Sequence, residues 1–411
     1  MGSLAVALAE WAHGLTPCPA DLDLAGRSLL DTVAVALAAR DHPVTRLAAQ
    51  LPEGARWAAA AHVLDFDDLH MESTTHISAV CVPTALATGG GARAYLAGAG
   101  VMARLGVALG WPHYSAGWHA TCTAGAPASA AGAAVALGLD VTQTAAAIAL
   151  AVPAAGGVQR AFGTDAKSLQ VGFAVEAGIR AARLAAAGAR ADPSALDAWL
   201  GLVGAGTSRA EPAGGDPGRA GSLAGPAVPG GLAIKIYPCC YALQRPISAL
   251  AELAGTGIDP HSVSRIVLRT PQSSVTPLIH HRPDTGLEGK FSLEYGAAAA
   301  LLDGYPGFAS FSDEAVRRPA ARRLTELVEI KPDPGGTGLL DGELQAAVHT
   351  SGGEVRRVSQ RFPPGSPARP PGQAQLRAKL ADCMAGLATD PGSWTWSTAA
   401  QVLREGLPCT S

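Results

Sequence analysis

The chain has 411 residues, a net charge of -3, 48% hydrophobic residues and only 16% charged ones. No long basic or acidic run accompanies that balance, which excludes nucleic acid as a partner, because nucleic acid demands a clustered positive footprint. The length corresponds to two or three domains, and the sparse charge suits a protein that hides part of its surface in an oligomer.

The basic residues are lopsided. Five are lysines (Lys167, Lys235, Lys290, Lys331 and Lys379) and the other twenty-six are arginines. Each lysine is therefore worth a question, since burial can tune a lysine and cannot tune an arginine. The seven cysteines are odd in number, form no CxxC pair, and include the adjacent Cys239 and Cys240, a poor geometry for a disulfide. Reduced thiols and a cytoplasmic location are expected. The N-terminus, MGSLAVALAEWAHG, lacks the basic region of a secretory signal. The most apolar stretch, 123–157, is interrupted by Asp140 and Gln143 and reads as two buried helices rather than a membrane span.

In chain order, 4–14 and 26–40 read as helices, the second with Leu30, Val33 and Leu37 on one face. A short Pro-containing connection, 41–56, leads to a helix over 57–68. Residues 62–76, HVLDFDDLHMESTTH, pack three histidines and three aspartates into fifteen positions. A helix through Asp68 would put His62 and Asp65 on one face, and Asp65 and Asp68 likewise. Leu69 to Thr75 then reads as a loop presenting His76. A carboxylate behind a histidine is what proton transfer needs, because the imidazole titrates near neutrality and the carboxylate orients it. The same residues also fit a solvated acidic turn.

Helices follow at 77–88 and 92–109. The second polar island, 111–125 (WPHYSAGWHATCTAG), leads into a helix over 126–137. Thr121 and Thr123 stand where that helix begins, beside His119, and free backbone N–H groups there suit an anion such as a carboxylate; ordinary capping is the alternative. After a helix at 142–152 comes the third island, AFGTDAK, and a long helix to about Gly188. With Thr164 as its cap, Lys167 falls in the first turn, against the preference of the helix dipole. Asp192 and Pro193 open a further helix. Residues 204–232, rich in Gly, Pro and Ala, read as a linker.

Beyond the linker the pattern changes. SRIVLRT, 264–270, alternates as a strand, with Ile266 and Leu268 on one face and Arg265 and Arg269 on the other. Helices are expected at 292–302 and 320–327, and strands at 328–330 and 354–362, so this part is α/β or α+β. Residues 373–388 return to helix. The chain thus divides into a helical domain over 1–232, completed by 373–411, and a smaller α/β domain over 233–372.

Five segments together resemble the MmgE/PrpD family, which includes 2-methylcitrate dehydratase, cis-aconitate decarboxylase and an iminodisuccinate epimerase. They are HVLDFDDLH with His76 and Ser78, GWHATCTAG, AFGTDAK, KIYPCC, and TGLEGKFSLEYGAAAALLDG, in family order over about 20–390. The resemblance implies a mainly α protein: a large all-helical domain built from both chain ends, plus a smaller α/β lid. It also implies a homodimer, a small carboxylate substrate, and chemistry without metal or other cofactor, with no nucleic-acid or membrane partner. Carried over by motif, Asp65, His76, His119, Lys167 and Tyr295 are the implied catalytic residues. Lys235, Cys240, Thr121, Thr123 and Gln170 are the implied substrate contacts.

The departures are Leu69 for Thr, Ile77 for Pro, and SLQVGF in place of RLHAGR, so that Gln170 and Phe173 replace a histidine and an arginine. The loss of an arginine beside a polycarboxylate site points to a less charged or larger substrate, or to lost activity. The chemistry the family shares is proton transfer at carbon next to a carboxylate, through or near an enediolate, which needs a base, an acid and positive charge. The expectation is that His76, oriented by Asp65, moves the proton, that Lys167 and Lys235 hold carboxylates, and that His119 or Tyr295 is the acid. Dehydration of a 2-methylcitrate-like hydroxy polycarboxylate leads, ahead of decarboxylation or epimerisation. Two other classes fit the residues: a metal-dependent hydrolase or hydratase using His62, Asp65, Asp68, His70 and His76, and a binding protein without activity.

Overall fold

A computed structural model describes residues 2–204, 223, 225–336, 338–339, 341–387 and 390–409. Most of the expected linker lies outside the described residues. The chain forms two compact units, Met1–Leu232 with Cys383–Ser411, and Ala233–Asp382. The fold is mainly helical with a small sheet.

The larger unit is built from α1 (Leu4–Gly14), α2 (Pro19–Ala38), α3 (Pro43–Ala48), α4 (Glu53–Val63), α5 (Ile77–Ala87), α6 (Ala92–Ser115), α7 (Ala120–Ala136), α8 (Val141–Ala151), α9 (Ala166–Ala186) and α10 (Ala195–Val203). Helix α7 is the centre. It is buried from Ala120 through Ala134 and packs against α5, α6, α8 and α9. Its small side chains make this feasible. A Cβ on Gly98 of α6 would stand 3.1 Å from the Ala128 carbonyl oxygen, and one on Gly178 of α9 would stand 2.4 Å from the Ser129 Cβ. The Ala/Gly-rich composition therefore sets helix spacing: backbones approach closely where no side chain intervenes. Among the described residues, α6 is the one helix long and apolar enough to cross a membrane, but 78% of its apolar window is buried inside the protein; it is a core helix. The chain returns to this unit through Ala399–Gly406, where Leu403 is buried and Arg404 pairs with Glu53 at 2.7 Å.

Several expected boundaries move. Helix α4 ends at Val63, not Asp68, because Asp65 adopts a left-handed backbone with φ 58, a conformation that terminates helices. The connection 41–56 contains α3, opened by Pro43 at its first position. Helix α7 begins at Ala120, six residues earlier than expected, so Thr123 lies inside it. The cap of α9 is Asp165 rather than Thr164. Asp192 and Pro193 precede α10, which starts at Ala195.

The smaller unit holds a four-stranded sheet of order β2-β1-β3-β4, from β1 (Val263–Pro271), β2 (Val328–Asp333), β3 (Leu344–Thr350) and β4 (Val355–Gln360). The β1–β2 pair is parallel and the other pairs are antiparallel. Ile266 and Leu268 are fully buried, while Arg265 and Arg269 reach across to Glu329 and Asp333 at 2.6 and 2.7 Å on the outer face. Helix Tyr241–Ala254 packs against β3 and β4 and against Leu293–Asp303, which packs in turn on Pro319–Glu326. The segment Gln373–Cys383, read from sequence as part of the first domain, lies almost wholly in this unit. Asp382 near its end accepts the backbone N–H of Phe308 at 3.2 Å.

Candidate active site

The polar island 62–76 is mostly buried, with Glu72 exposed and His76 partly so, and its residues 70–75 fold as a hairpin-like turn. His70 N–H donates to the Thr75 carbonyl at 2.8 Å. The His70 ring is held at both nitrogens, by the Ser73 hydroxyl and by the Pro229 carbonyl, each at 2.7 Å. His70 therefore anchors the turn. Asp68 also has a structural role: its carboxylate accepts the Ser78 hydroxyl and, at 3.1 Å, the Ser78 N–H. The chain of contacts continues from Ser78 to the Tyr95 hydroxyl at 3.0 Å and on to Ser28 at 2.8 Å. Burial, opposed by those Ser78 hydrogen bonds and reinforced by Asp31 and Asp67, pushes Asp68 up to about 7.

The carboxylate behind the histidines is Asp67. Its Oδ2 receives His62 Nδ1 at 2.7 Å and His76 Nδ1 at 3.1 Å. Burial alone would raise Asp67, but the His76 and His62 imidazoles outweigh it and hold the carboxyl well below the usual range. An ionised carboxylate can only accept, so the hydrogen bond places the His62 proton on Nδ1, and the same carboxylate facing His76 Nδ1 at 3.1 Å favours that tautomer there. In a neutral ring Nε2 is then the basic nitrogen. His62 is completely buried, and burial, joined by the Lys167 charge, lowers it to about 4. The His76 side chain is 12% exposed where His62 and Asp67 are at 0%, which leaves it the outward member of the trio. Its backbone N–H is anchored by Thr121 Oγ1 at 3.1 Å.

The assignment of Asp65 as the partner of His76 is therefore corrected. The left-handed backbone at Asp65 turns its carboxylate away to Lys167, whose Nζ stands 3.3 Å from Oδ2, with both side chains buried. This pair answers the question raised by a lysine in a first helical turn. Lys167 is the second residue of α9, and the Asp65 charge offsets the unfavourable dipole. Phe162 lies beneath the ammonium at 5.7 Å.

His119 caps α7 and completes the cluster. Its ring centroid is 5.6 Å from that of His62 and 5.0 Å from that of Phe162. Burial first, then the charges of His62, Lys167 and His76, drive its pKa well below the ordinary value against the opposing pull of Asp65. Its Nδ1 contacts Gln170 Nε2 at 2.6 Å and Cys122 Sγ at 3.2 Å.

Of the expected substrate contacts in this unit, Thr121 orients His76, and Thr123 is fully buried with its hydroxyl on His113 Nε2 at 2.9 Å. Gln170 is engaged by Val158 and His119. Phe173 is 52% exposed on α9. In the smaller unit Lys235 is buried, on a segment whose next two N–H groups, of Ile236 and Tyr237, both donate to Gln244 Oε1 at 3.0 and 3.1 Å. Cys240 caps Tyr241–Ala254, and its N–H donates to the Lys290 carbonyl at 3.1 Å. The Tyr295 hydroxyl donates to the Ser310 carbonyl, and burial raises it to about 12.

Among the described residues, His62, Asp67 and His76 are the group whose donor atoms come close enough for a metal, within 4.8 Å of one another. The Nδ1 atoms of both rings already converge on Asp67 Oδ2, so a cation bound through Nδ1 would have to displace the His62 hydrogen bond and the His76 ion-pair contact.

Residues 52–212 match the MmgE/PrpD N-terminal domain, and residues 237–401 match the MmgE/PrpD C-terminal domain. The chain belongs to the MmgE/PrpD family. Members of this family are generally lyases and dehydratases. Among curated proteins, none matches the chain. Two features of the site went unseen in the sequence of this MmgE/PrpD protein, namely Asp67 as the shared acceptor and Gln170 on His119. The DFDD run held the first in plain view, but spacing does not tell which of three nearby aspartates faces inward.

Proposed function

We propose that the protein is a lyase that removes a proton from carbon next to a carboxylate, and that its reaction is dehydration of a 2-methylcitrate-like hydroxy polycarboxylate. One observation supports this above the rest: His76, partly exposed, is backed through Nδ1 by the buried Asp67 carboxylate. That arrangement makes Nε2 the base, and it stabilises the imidazolium formed when Nε2 takes the proton.

Lys167 supplies positive charge for the substrate carboxylate as the electron pair from the broken C–H bond delocalises into it. Asp65 keeps the ammonium in place, and its charge tempers the field so that Lys167 can be buried before substrate arrives. Expulsion of the β-hydroxyl with its C–O electron pair completes the dehydration, and the departing oxygen leaves as water after taking up the proton that His76 Nε2 removed, which restores the base. Epimerisation would begin from the same carbanion-like state, whereas decarboxylation would reach one by releasing CO2, the C–C bond pair staying on carbon until a proton is added, so the ending of the reaction depends on which bond at that carbon breaks.

A panel of di- and tricarboxylates incubated with the protein in D2O and followed by NMR tests this reading. C–H exchange together with loss of water on a hydroxy polycarboxylate is the expected result. Loss of CO2 or inversion without loss of water would replace dehydration with one of the other two endings.

A further inference from the structure

We propose that Gln170 is a positioning residue that locks His119 as a neutral imidazole with its proton on Nε2, so that His119 donates a hydrogen bond to a substrate oxyanion and does not itself exchange protons. The second half of this statement rests on the lyase reading above; the first half does not.

The orientation of the Gln170 amide follows from its neighbours. Oε1 accepts the Val158 backbone N–H at 3.1 Å, and Nε2 faces the Val158 carbonyl at 3.3 Å. A flipped amide would set two donors against each other at Val158 N and two acceptors against each other at its carbonyl. The amide nitrogen is therefore the atom 2.6 Å from His119 Nδ1, and it can only donate. The second neighbour of Nδ1 is the Cys122 thiol at 3.2 Å. Burial pushes that thiol far up, so it too is a protonated donor. A nitrogen facing two donors must present its lone pair. In the neutral ring the proton is then on Nε2.

The charges around His119 keep it neutral. Besides burial, His62, Lys167 and His76 disfavour a second proton, and Asp65 opposes them. The backbone holds the same geometry: His119 N–H donates to the Gly157 carbonyl at 3.0 Å, and Trp118 bridges Val158, so the segment that orients Gln170 is tied to the residue it serves. Gln170 sits one turn beyond Lys167 on α9, so a single helix end sets both the cation and the tautomer. A neutral N–H donor beside Lys167 suits an enediolate or carboxylate oxygen, where a fixed dipole stabilises charge as it forms.

The test is 15N NMR of histidine-labelled protein, with His119→Asn used to assign the ring signals. The expected spectrum shows Nδ1 in the unprotonated range and Nε2 in the protonated range, unchanged between pH 6 and 8. Gln170→Glu, whose carboxylate can only accept, should move the proton to Nδ1, and Gln170→Met should leave a mixture. C–H exchange in D2O should fall about 100-fold or more in Gln170→Glu. A wild-type ring protonated on Nδ1 overturns the proposal, and so does a Gln170→Glu variant with wild-type His119 signals. The NMR readout needs no substrate, so its failure stands apart from any failure of the lyase reading. Exchange at the wild-type rate in Gln170→Glu, with the tautomer moved, would remove the donor role alone.

Discussion

Asp67 Oδ2 lies 3.1 Å from Nδ1 of His76, and the same oxygen holds His62 at 2.7 Å. One buried carboxylate thus sets the tautomer of two imidazoles. Asp67→Asn keeps the size of the side chain but removes the charge that stabilises an imidazolium. The expected loss is about 100- to 10,000-fold in kcat for proton abstraction, with little change in KM. Steady-state kinetics on any substrate that exchanges would check it, and a KM effect without a kcat effect would contradict the role.

Asp65 and Lys167 form a buried pair at 3.3 Å. Removing either partner strands a charge, at a cost of about 3–5 kcal/mol. Asp65→Asn and Lys167→Met should each destabilise the protein, and the double variant should cost clearly less than their sum. Asp65→Ala should lose about a further 1 kcal/mol relative to Asp65→Asn, because φ is 58 there and alanine tolerates a left-handed backbone less well than asparagine. Denaturant unfolding measures all four. Simple additivity would argue that the pair carries no coupling.

Asp68 and His62 give opposite pH dependences of stability. Asp68 is raised from 3.8 to about 7, so the folded protein binds the extra proton between those values, and this contribution is lost as pH rises through the window. His62 is lowered from 6.5 to about 4, so its contribution is present above 6.5 and lost as pH falls toward 4. The two offset each other in the native protein. In Asp68→Asn the opposing Asp68 contribution is gone, and Tm should climb as pH rises from 4 to 6.5, more steeply than in the parent. A variant whose profile parallels the parent would show that Asp68 is ionised throughout.

Of the Nδ1 atoms that would meet a cation, that of His62 is hydrogen-bonded to Asp67 and that of His76 is in ion-pair contact with the same oxygen at 3.1 Å. Exchange activity should therefore survive prolonged chelation, with no stoichiometric metal in the purified protein by elemental analysis. A loss on chelation that returns with one divalent ion would assign His62, Asp67 and His76 as ligands.

The fold class was legible in the sequence because periodicity reports burial. Ile266 and Leu268 alternate with Arg265 and Arg269 as the sheet requires, and the small residues of α7 mark a helix surrounded by others. Strand β3 was missed because LQAAVHT carries two alanines where strands favour branched residues, although Leu344, Ala346 and Val348 face inward. The left-handed turn at Asp65 was invisible for a related reason: no glycine or asparagine announces it. That single backbone angle decides which aspartate meets Lys167 and leaves Asp67 to the histidines. The Gln170–His119 contact spans 51 positions, and no local pattern reports it.

The most direct measurement is the rate of C–H exchange in D2O on the best carboxylate of the panel, compared between the parent protein and His76→Ala, with near-UV circular dichroism confirming that the variant is folded. The expected result is exchange by the parent and a rate about 100-fold lower or less in the variant. A folded His76→Ala protein that exchanges at the parental rate would contradict the account.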